Sequence, residues 1–381
     1  MKFTFAIQFI SLISFSLFTL KAITMHDKRT TMEAVTDQIR KRIAEHAWRP
    51  GERIPTKMEL IDLFGASDMT VQRALTLACS QGFIVSRGCK GTFVAERPPH
   101  LHRFGLILPR GADTSLMLKT LVQAARRTHA WWLTIHEECF QWGTEPASAE
   151  MIQVEREVNE SRFAGLIIAA PTFAVSRPNI LTRPGLPRLF ITDQCHPELG
   201  AGCHFEGARK TALCELARHG RRRVGLVGSL NMVAGGEATW LRKLHKDAKD
   251  CGLTFRDEWA QAVDKDSPGA IRQAVRLLLS LPAKSRPDGL YIMDDHLVTA
   301  ACEGVVLSGV PMSQLTVVTH ANFPNPQPAA VPVVDVGFDI EKLLEAALQK
   351  VSQGVSEKRE LGPDDWITAR AEVRERSPHL R

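Results

Sequence analysis

Between Thr31 and Ala95 the chain places its helix starts, helix stops and turn residues so closely that few folds accommodate them. From Thr31 to Ala47, Met32, Val35, Ile39 and Ile43 recur at intervals of three and four, which puts them on one face of a helix. Pro50-Gly51 breaks that helix. Thr56, with Glu59 three positions on, is a capping-box signature for a second helix, Thr56 to Leu63, stopped by Gly65. Ser67 is placed to cap a third, Asp68 to Ser80, with Val71, Leu75 and Ala78 inward and Gly82 as its terminator. The β-prone runs Phe83–Ser86 and Thr92–Ala95 flank Arg87-Gly88-Cys89-Lys90-Gly91, which predicts a hairpin with a basic, glycine-rich tip.

Three short helices and a basic hairpin describe a winged helix–turn–helix, in which the second helix of the pair enters a DNA major groove. Its outward side chains, Asp68, Met69, Gln72 and Arg73, are the candidates to reach base edges. Arg53, Lys57, Thr70, Arg87 and Lys90 are candidates for phosphates or a minor groove, with Thr56 and Ser67 at the helix starts and Gly91 in the tip. A protein-binding module is the competing reading of the same elements.

The stretch closely resembles the DNA-binding domain of the GntR family of bacterial transcription regulators. Pro50-Gly51, Ile54-Pro55-Thr56, Glu59-Leu60, Ser67, Thr70-Val71, Ala74-Leu75, Gly82, Arg87-Gly88 and Gly91-Thr92-Phe93-Val94 carry the resemblance, in the family's order and spacing. Members often carry arginine where this chain has Met58, Asp68 and Gln72. These departures bear on the DNA sequence read, not on the fold. Gln72 suits adenine, and Asp68 suits a helix cap or a cytosine amine.

At 381 residues, two or three domains are expected. A net charge of +6 suits a polyanionic partner without specifying one. The eight cysteines show no C-x-x-C pair, so they read as free thiols of a reducing compartment rather than a disulfide or zinc framework. No G-x-S-x-G, G-x-x-x-x-G-K-S/T or H-E-x-x-H occurs, the histidines show no metal-ligand spacing, and the adjacent carboxylates of Asp294-Asp295 are expected to diverge. No catalytic residue, metal or cofactor is therefore assigned.

Phe3 to Ile23 is apolar and imitates a signal peptide or a marginal membrane span. Lys21-Ala22-Ile23-Thr24 is a poor cleavage site, and a DNA-binding unit must meet the chromosome in the cytoplasm. Residues 1–24 are accordingly read as a spurious or signal-like extension ahead of a start at Met25. The alternative is a membrane-associated or exported solute-binding receptor that uses this apolar stretch.

Residues 25–96 form the expected DNA-binding domain, and Glu96-Arg97-Pro98-Pro99-His100-Leu101-His102 a short, stiff, extended linker (97–102). From Arg103 onward, short apolar runs closed by proline or acidic residues alternate with helical spacing. Phe104–Leu108, Phe163–Ala170, Leu189–Thr192, Arg223–Gly228, Gly289–Met293 and Leu315–Thr319 read as buried strands. Such alternation implies parallel sheets covered on both faces, here two of them in two lobes, with a ligand site at the strands' carboxyl ends. The fold class is α/β: a winged helix–turn–helix plus a two-lobed domain over 103–381.

That second segment resembles the effector domain of LacI-type repressors, related to periplasmic sugar-binding proteins. The stretches Phe163–Pro171, Gly207-Ala208-Arg209, Leu216–Gly228, Pro287–His296, Gly309-Val310-Pro311 and Leu361–Arg370 carry it. The resemblance implies that Arg209 and Asp295 face a bound sugar. The competing readings are that Asp295 caps the next helix and that Arg209 is solvated alone. Cys203, Trp240 and Lys243 depart from the family pattern, so the ligand differs from its common sugar. Trp131, Trp132, Trp142 and Trp240 are candidate stacking surfaces, and Tyr291 is expected in the core.

Taken together these features imply a cytoplasmic, ligand-responsive repressor, arranged like the arabinose-repressor type. It would bind double-stranded operator DNA as a homodimer, with a carbohydrate as effector and no membrane partner.

Overall fold

The computed structural model describes residues 31–140, 148–169, 185–191, 201–230 and 237–378. The expectations for residues 1–24, Trp142 and Pro171 lie outside them. Contacts divide the chain into one unit running through Leu101, with Asn159–Arg162, and a second of His102–Val158 and Phe163 onward.

The first unit contains α1 (Met32–Ala44), α2 (Lys57–Phe64), α3 (Asp68–Ser80) and an antiparallel hairpin of β1 (Ile84–Ser86) and β2 (Thr92–Val94). Each helix starts where a side chain satisfies a free backbone N–H. Thr31 accepts from Ala34 N at 3.2 Å, Ser67 accepts from Thr70 N at 3.2 Å, and Thr56 and Glu59 form the reciprocal capping box. Gly65 closes α2 in the left-handed region, at φ 59°. Val35, Ile39, Ile43, Leu60, Val71, Ala74, Ala78 and Phe83 are fully buried and form one core. Val71 and Ala78 are buried as expected, Leu75 is half-buried and packs against the same core, and Ala74 completes the stripe. The linker is not extended: Pro99–His102 makes a helical turn, which a proline tolerates at its start.

The second unit is built on two six-stranded sheets. The first-lobe sheet contains β3 (Arg103–Pro109), β4 (Trp132–Phe140), β5 (Gly165–Ala169), β6 (Arg188–Ile191), β7 (Gly202–Glu206) and β13 (Ile367–Arg370), in the order β13-β7-β6-β5-β3-β4 and parallel throughout. The second-lobe sheet contains β8 (Val224–Ser229), β9 (Ala260–Val263), β10 (Gly289–Ile292), β11 (Thr316–Phe323), β12 (Val333–Asp339) and β14 (Glu372–Arg376). Its order is β14-β12-β11-β10-β8-β9, with only edge strand β14 antiparallel.

Both faces of each sheet are covered, and the side chains alternate accordingly. Leu106, Ile167 and Leu189 join the core under α4 (Leu116–Arg127) and α10 (Ile340–Glu357); Ile107, Ile168 and Phe190 join the one under α5 (Ala149–Asn159). In the second lobe Leu290 and Ile292 pack with α8 (Pro268–Leu279) and α9 (Val298–Ser308). Tyr291, buried as expected, packs with α6 (Ala208–Arg218) and α7 (Glu237–Asp250). The chain passes between lobes after β7, after β12 and between β13 and β14.

The cysteines depart from expectation in this unit. Cys214 and Cys251 are not free thiols: α6 packs on α7, their Cα atoms are 5.1 Å apart, and they are joined as a disulfide. A partner 37 residues away, just past the end of another helix, leaves no short spacing to read. Cys79, Cys89, Cys139, Cys203 and Cys302 are free.

Candidate nucleic-acid interface and effector cleft

The outer face of α3 is set by the caps and core that orient it. Asp68, Met69, Gln72 and Arg73 are exposed on it, as expected. Thr70 is half-buried, its hydroxyl 2.8 Å from that of Ser67. Lys57 and Asp68, expected to act separately, are brought together: Lys57 Nζ lies 2.8 Å from Asp68 Oδ1, tying the start of α2 to that of α3. Each helix N-terminus carries a dipole end that favours an anion. The Glu59 carboxyl is held below its usual range by hydrogen bonds from the Thr56 backbone and hydroxyl.

The wing supplies further cations. The Arg87 guanidinium lies 4.7 Å from the Phe93 ring centroid and 3.2 Å from Glu96. Arg53 runs along the wing: a β-carbon at Gly91 would sit 2.8 Å from Arg53 Nε, and φ there is +104°, so only glycine fits. Lys90 is exposed at the tip.

A groove of about 570 Å³ separates α3, the start of α2 and the wing. Arg53, Thr56, Lys57, Gln72 and Gly91 line it together with Thr76, Ser80, Ser86, Thr92 and the exposed thiol of Cys79. Sequence reasoning missed these last five. Gln72, Thr76 and Ser80 stand four apart, so the helical period already placed them on one face.

The second site lies at the carboxyl end of β10, where parallel α/β sheets bind ligands. Asp294, not Asp295, caps the following turn, accepting from His296 N at 3.0 Å. Asp295 is buried and accepts from Asn322 Nδ2 at 2.5 Å. The neighbouring carboxylates, expected to diverge, converge on one ring: His296 Nδ1 is 3.0 Å from Asp294 Oδ1 and 3.3 Å from Asp295 Oδ1. The other ring nitrogen, Nε2, lies 2.9 Å from the carbonyl oxygen of Thr114 in the first lobe. Both nitrogens face acceptors, so both carry protons and the ring is an imidazolium. Its hydrogen bonds to Asp294 and then Asp295 outweigh burial and raise its pKa to about 10. Burial pushes the Asp294 carboxyl up, but bonds from His296 and Ser229 prevail and hold it at about 2. Although these three side chains lie within ligand distance of one another, a doubly protonated ring offers no lone pair to a metal.

Arg209 is neither solvated alone nor bonded to Asp295. Its Nε sits 2.5 Å from Asp247 Oδ2, linking the first turn of α6 to α7. Cys203 is buried, and burial pushes its thiol up to about 12. Trp131 donates to Glu345 at 3.0 Å, and Trp132 stands at the amino end of β4, away from the strands' carboxyl ends. Trp240 packs against the core shared by α6 and α7. These three tryptophans therefore form no common stacking plate. Asn322, His296 and Thr114 were not singled out in the sequence.

Residues 31–94 match the family "Bacterial regulatory proteins, gntR family". Within this region the chain is 44% identical over 64 residues to the histidine utilization repressor of Klebsiella aerogenes, 17% of this chain and 27% of that one. It is 32% identical over 98 residues to the uncharacterized HTH-type transcriptional regulator YdcR of Escherichia coli K12, 25% of this chain and 21% of that one. The chain thus spans about a quarter of the length of these relatives. A crystal structure of a regulatory protein of the LacI family from Chloroflexus aggregans superposes with a TM-score of 0.52 at 13% identity, covering 72% of this chain and 97% of that one. That likeness concerns the fold.

Proposed function

We propose that this chain, whose residues 31–94 are a gntR-type helix–turn–helix domain and whose larger unit has the two-lobed LacI-like fold, is a ligand-responsive transcription regulator. The observation that carries the reading is a groove lined together by α3 (Gln72, Thr76, Ser80), the capped start of α2 (Thr56, Lys57) and the wing (Ser86, Gly91, Thr92) with Arg53, beside the exposed Met69 and Arg73 of α3. Arg73 and Gln72 read bases, with Met69, 59% exposed, against a thymine methyl. Arg53, Arg87, Lys90, Thr56, Ser67, Thr70 and Gly91 hold the phosphate backbone or minor groove. Lys57 and Asp68 act as a pair that sets the spacing of the two helix starts.

The effector enters between the lobes at the carboxyl end of β10. A buried carboxylate at Asp295 and an amide at Asn322 are suited to hydroxyl donors, which supports a carbohydrate, with Arg209 at the flank. A repressor role follows the Klebsiella relative's name. A homodimer matches the near-palindromic sites that such modules read, and the exposed Leu277, Leu281, Val306 and Leu307 of the second lobe supply apolar area for a second copy. Among the described residues no helix is long and apolar enough to cross a membrane. A cytoplasmic location follows from a chromosomal target.

Fluorescence anisotropy with duplex DNA tests the interface. Arg73→Ala and Arg87→Ala are each expected to weaken binding by about tenfold or more, with Arg87→Ala also reducing the salt dependence. Unchanged affinity in both variants would remove the DNA-contact assignment.

A further inference from the structure

Among the described residues several hydrogen bonds cross from one lobe to the other, two of them donated by side chains of the second lobe. His296 Nε2 donates to the Thr114 carbonyl at 2.9 Å, and Asn325 Nδ2 donates to Gln123 Oε1 at 2.7 Å. The first differs in kind. Its donor is a cation fixed at its other end by two carboxylates, and its acceptor is a backbone carbonyl in the turn that follows β3. A charged donor makes the stronger type of hydrogen bond. Thr114 lies in a short 3-10 turn, Ala112–Thr114, and its own hydroxyl bonds back to Gly111 O at 2.7 Å. The carbonyl is thereby presented to the cleft by a locally constrained segment.

We infer that His296 is the cleft's internal ligand: it occupies the donor position at Asp294 and Asp295 and latches the lobes together through Thr114. This rests on the proposed reading of the cleft as the effector site. The latch also limits the chemistry of what replaces it. If His296 swings out, two carboxylates and one carbonyl each lose one donor, with Asn322 still donating to Asp295 and Ser229 to Asp294, and a buried acceptor that loses a donor is costly. An incoming group therefore has to donate hydrogen bonds, as a polyol or an ammonium does. A carboxylate or phosphate placed there would face two like charges. On this account His296 is a positioning residue for Asp295, and the effector exchanges one closed arrangement for another.

Hydrogen–deuterium exchange on the ligand-free full chain tests this, comparing wild type with His296→Ala and His296→Gln. The side chain is 26% exposed, so neither change empties a core. The latch predicts that both variants exchange about tenfold faster at amides 112–118 and 294–300, while amides of β8 and β10 keep wild-type rates. Rates at 112–118 within twofold of wild type in both variants would overturn it. So would a uniform rise that includes β8 and β10, since that would make His296 merely structural. The measurement needs no ligand. A failure to bind glucose, ribose or cellobiose would count against the proposed effector site and leave the exchange result standing.

Discussion

His296 shows how one side chain makes the cleft sensitive to charge. Its folded pKa of about 10 lies above the ordinary 6.5, so the stabilisation it contributes is complete below about pH 6.5 and is lost as pH rises toward 10. Asp294, held at about 2 against an ordinary 3.8, has the opposite sign: its contribution is present above 3.8 and is lost as pH falls through 2. Thermal midpoints of wild type and His296→Gln should therefore differ most between about pH 4 and 6.5 and converge by pH 10. A gap independent of pH would contradict the imidazolium assignment. At this scale the sequence was informative wherever a residue acts on its neighbours. Thr56 with Glu59, and Ser67, cap the helices they were expected to cap. It was silent where the partner is remote: Thr114 lies 182 positions from His296, and Arg209 meets Asp247 rather than Asp295.

Among the elements, α3 and the wing form a surface that a duplex would cover, and Cys79 reports on it. Its thiol is exposed in the groove, as is that of Cys89 on the wing, whereas burial raises Cys139, Cys203 and Cys302 to about 12 each. Brief alkylation of the native chain should modify Cys79 and Cys89 and spare the other three. Operator DNA should slow modification of Cys79 by about tenfold or more; full reactivity in a saturated complex would place the groove away from DNA. The helices and central strands were legible because strands buried on both faces are continuous apolar runs. Edge strands β13 and β14 were not. β13 reads Ile-Thr-Ala-Arg and β14 Glu-Val-Arg-Glu-Arg, polar because each has a face or edge in water. β7, β9 and β12 were also passed over, although β12 is buried almost throughout. The Cys214–Cys251 bond became visible only once α6 and α7 were packed together.

For the whole molecule the chain's three passages between lobes are the central feature. A change in lobe closure must bend all three at once, so the two lobes are suited to two discrete arrangements rather than a continuum. A ligand shifts that balance only by binding one arrangement better. Asp295→Ala should abolish the effect of a bound sugar on DNA affinity while leaving ligand-free DNA binding within about twofold; loss of both would mean that the lobe fails to fold, which circular dichroism reports. The two-unit organisation was readable in outline from the change of pattern near Arg103, because helical capping signals give way there to apolar strands. The joint itself was not, since two prolines that suggest extended backbone instead begin a helical turn at Pro99. The most direct measurement of the central claim is selection from a random duplex library by the purified full chain at low salt. The account predicts enrichment of a two-fold symmetric sequence whose binding is weakened by Arg73→Ala; recovery of no preferred sequence, with no measurable affinity for any duplex, would contradict it.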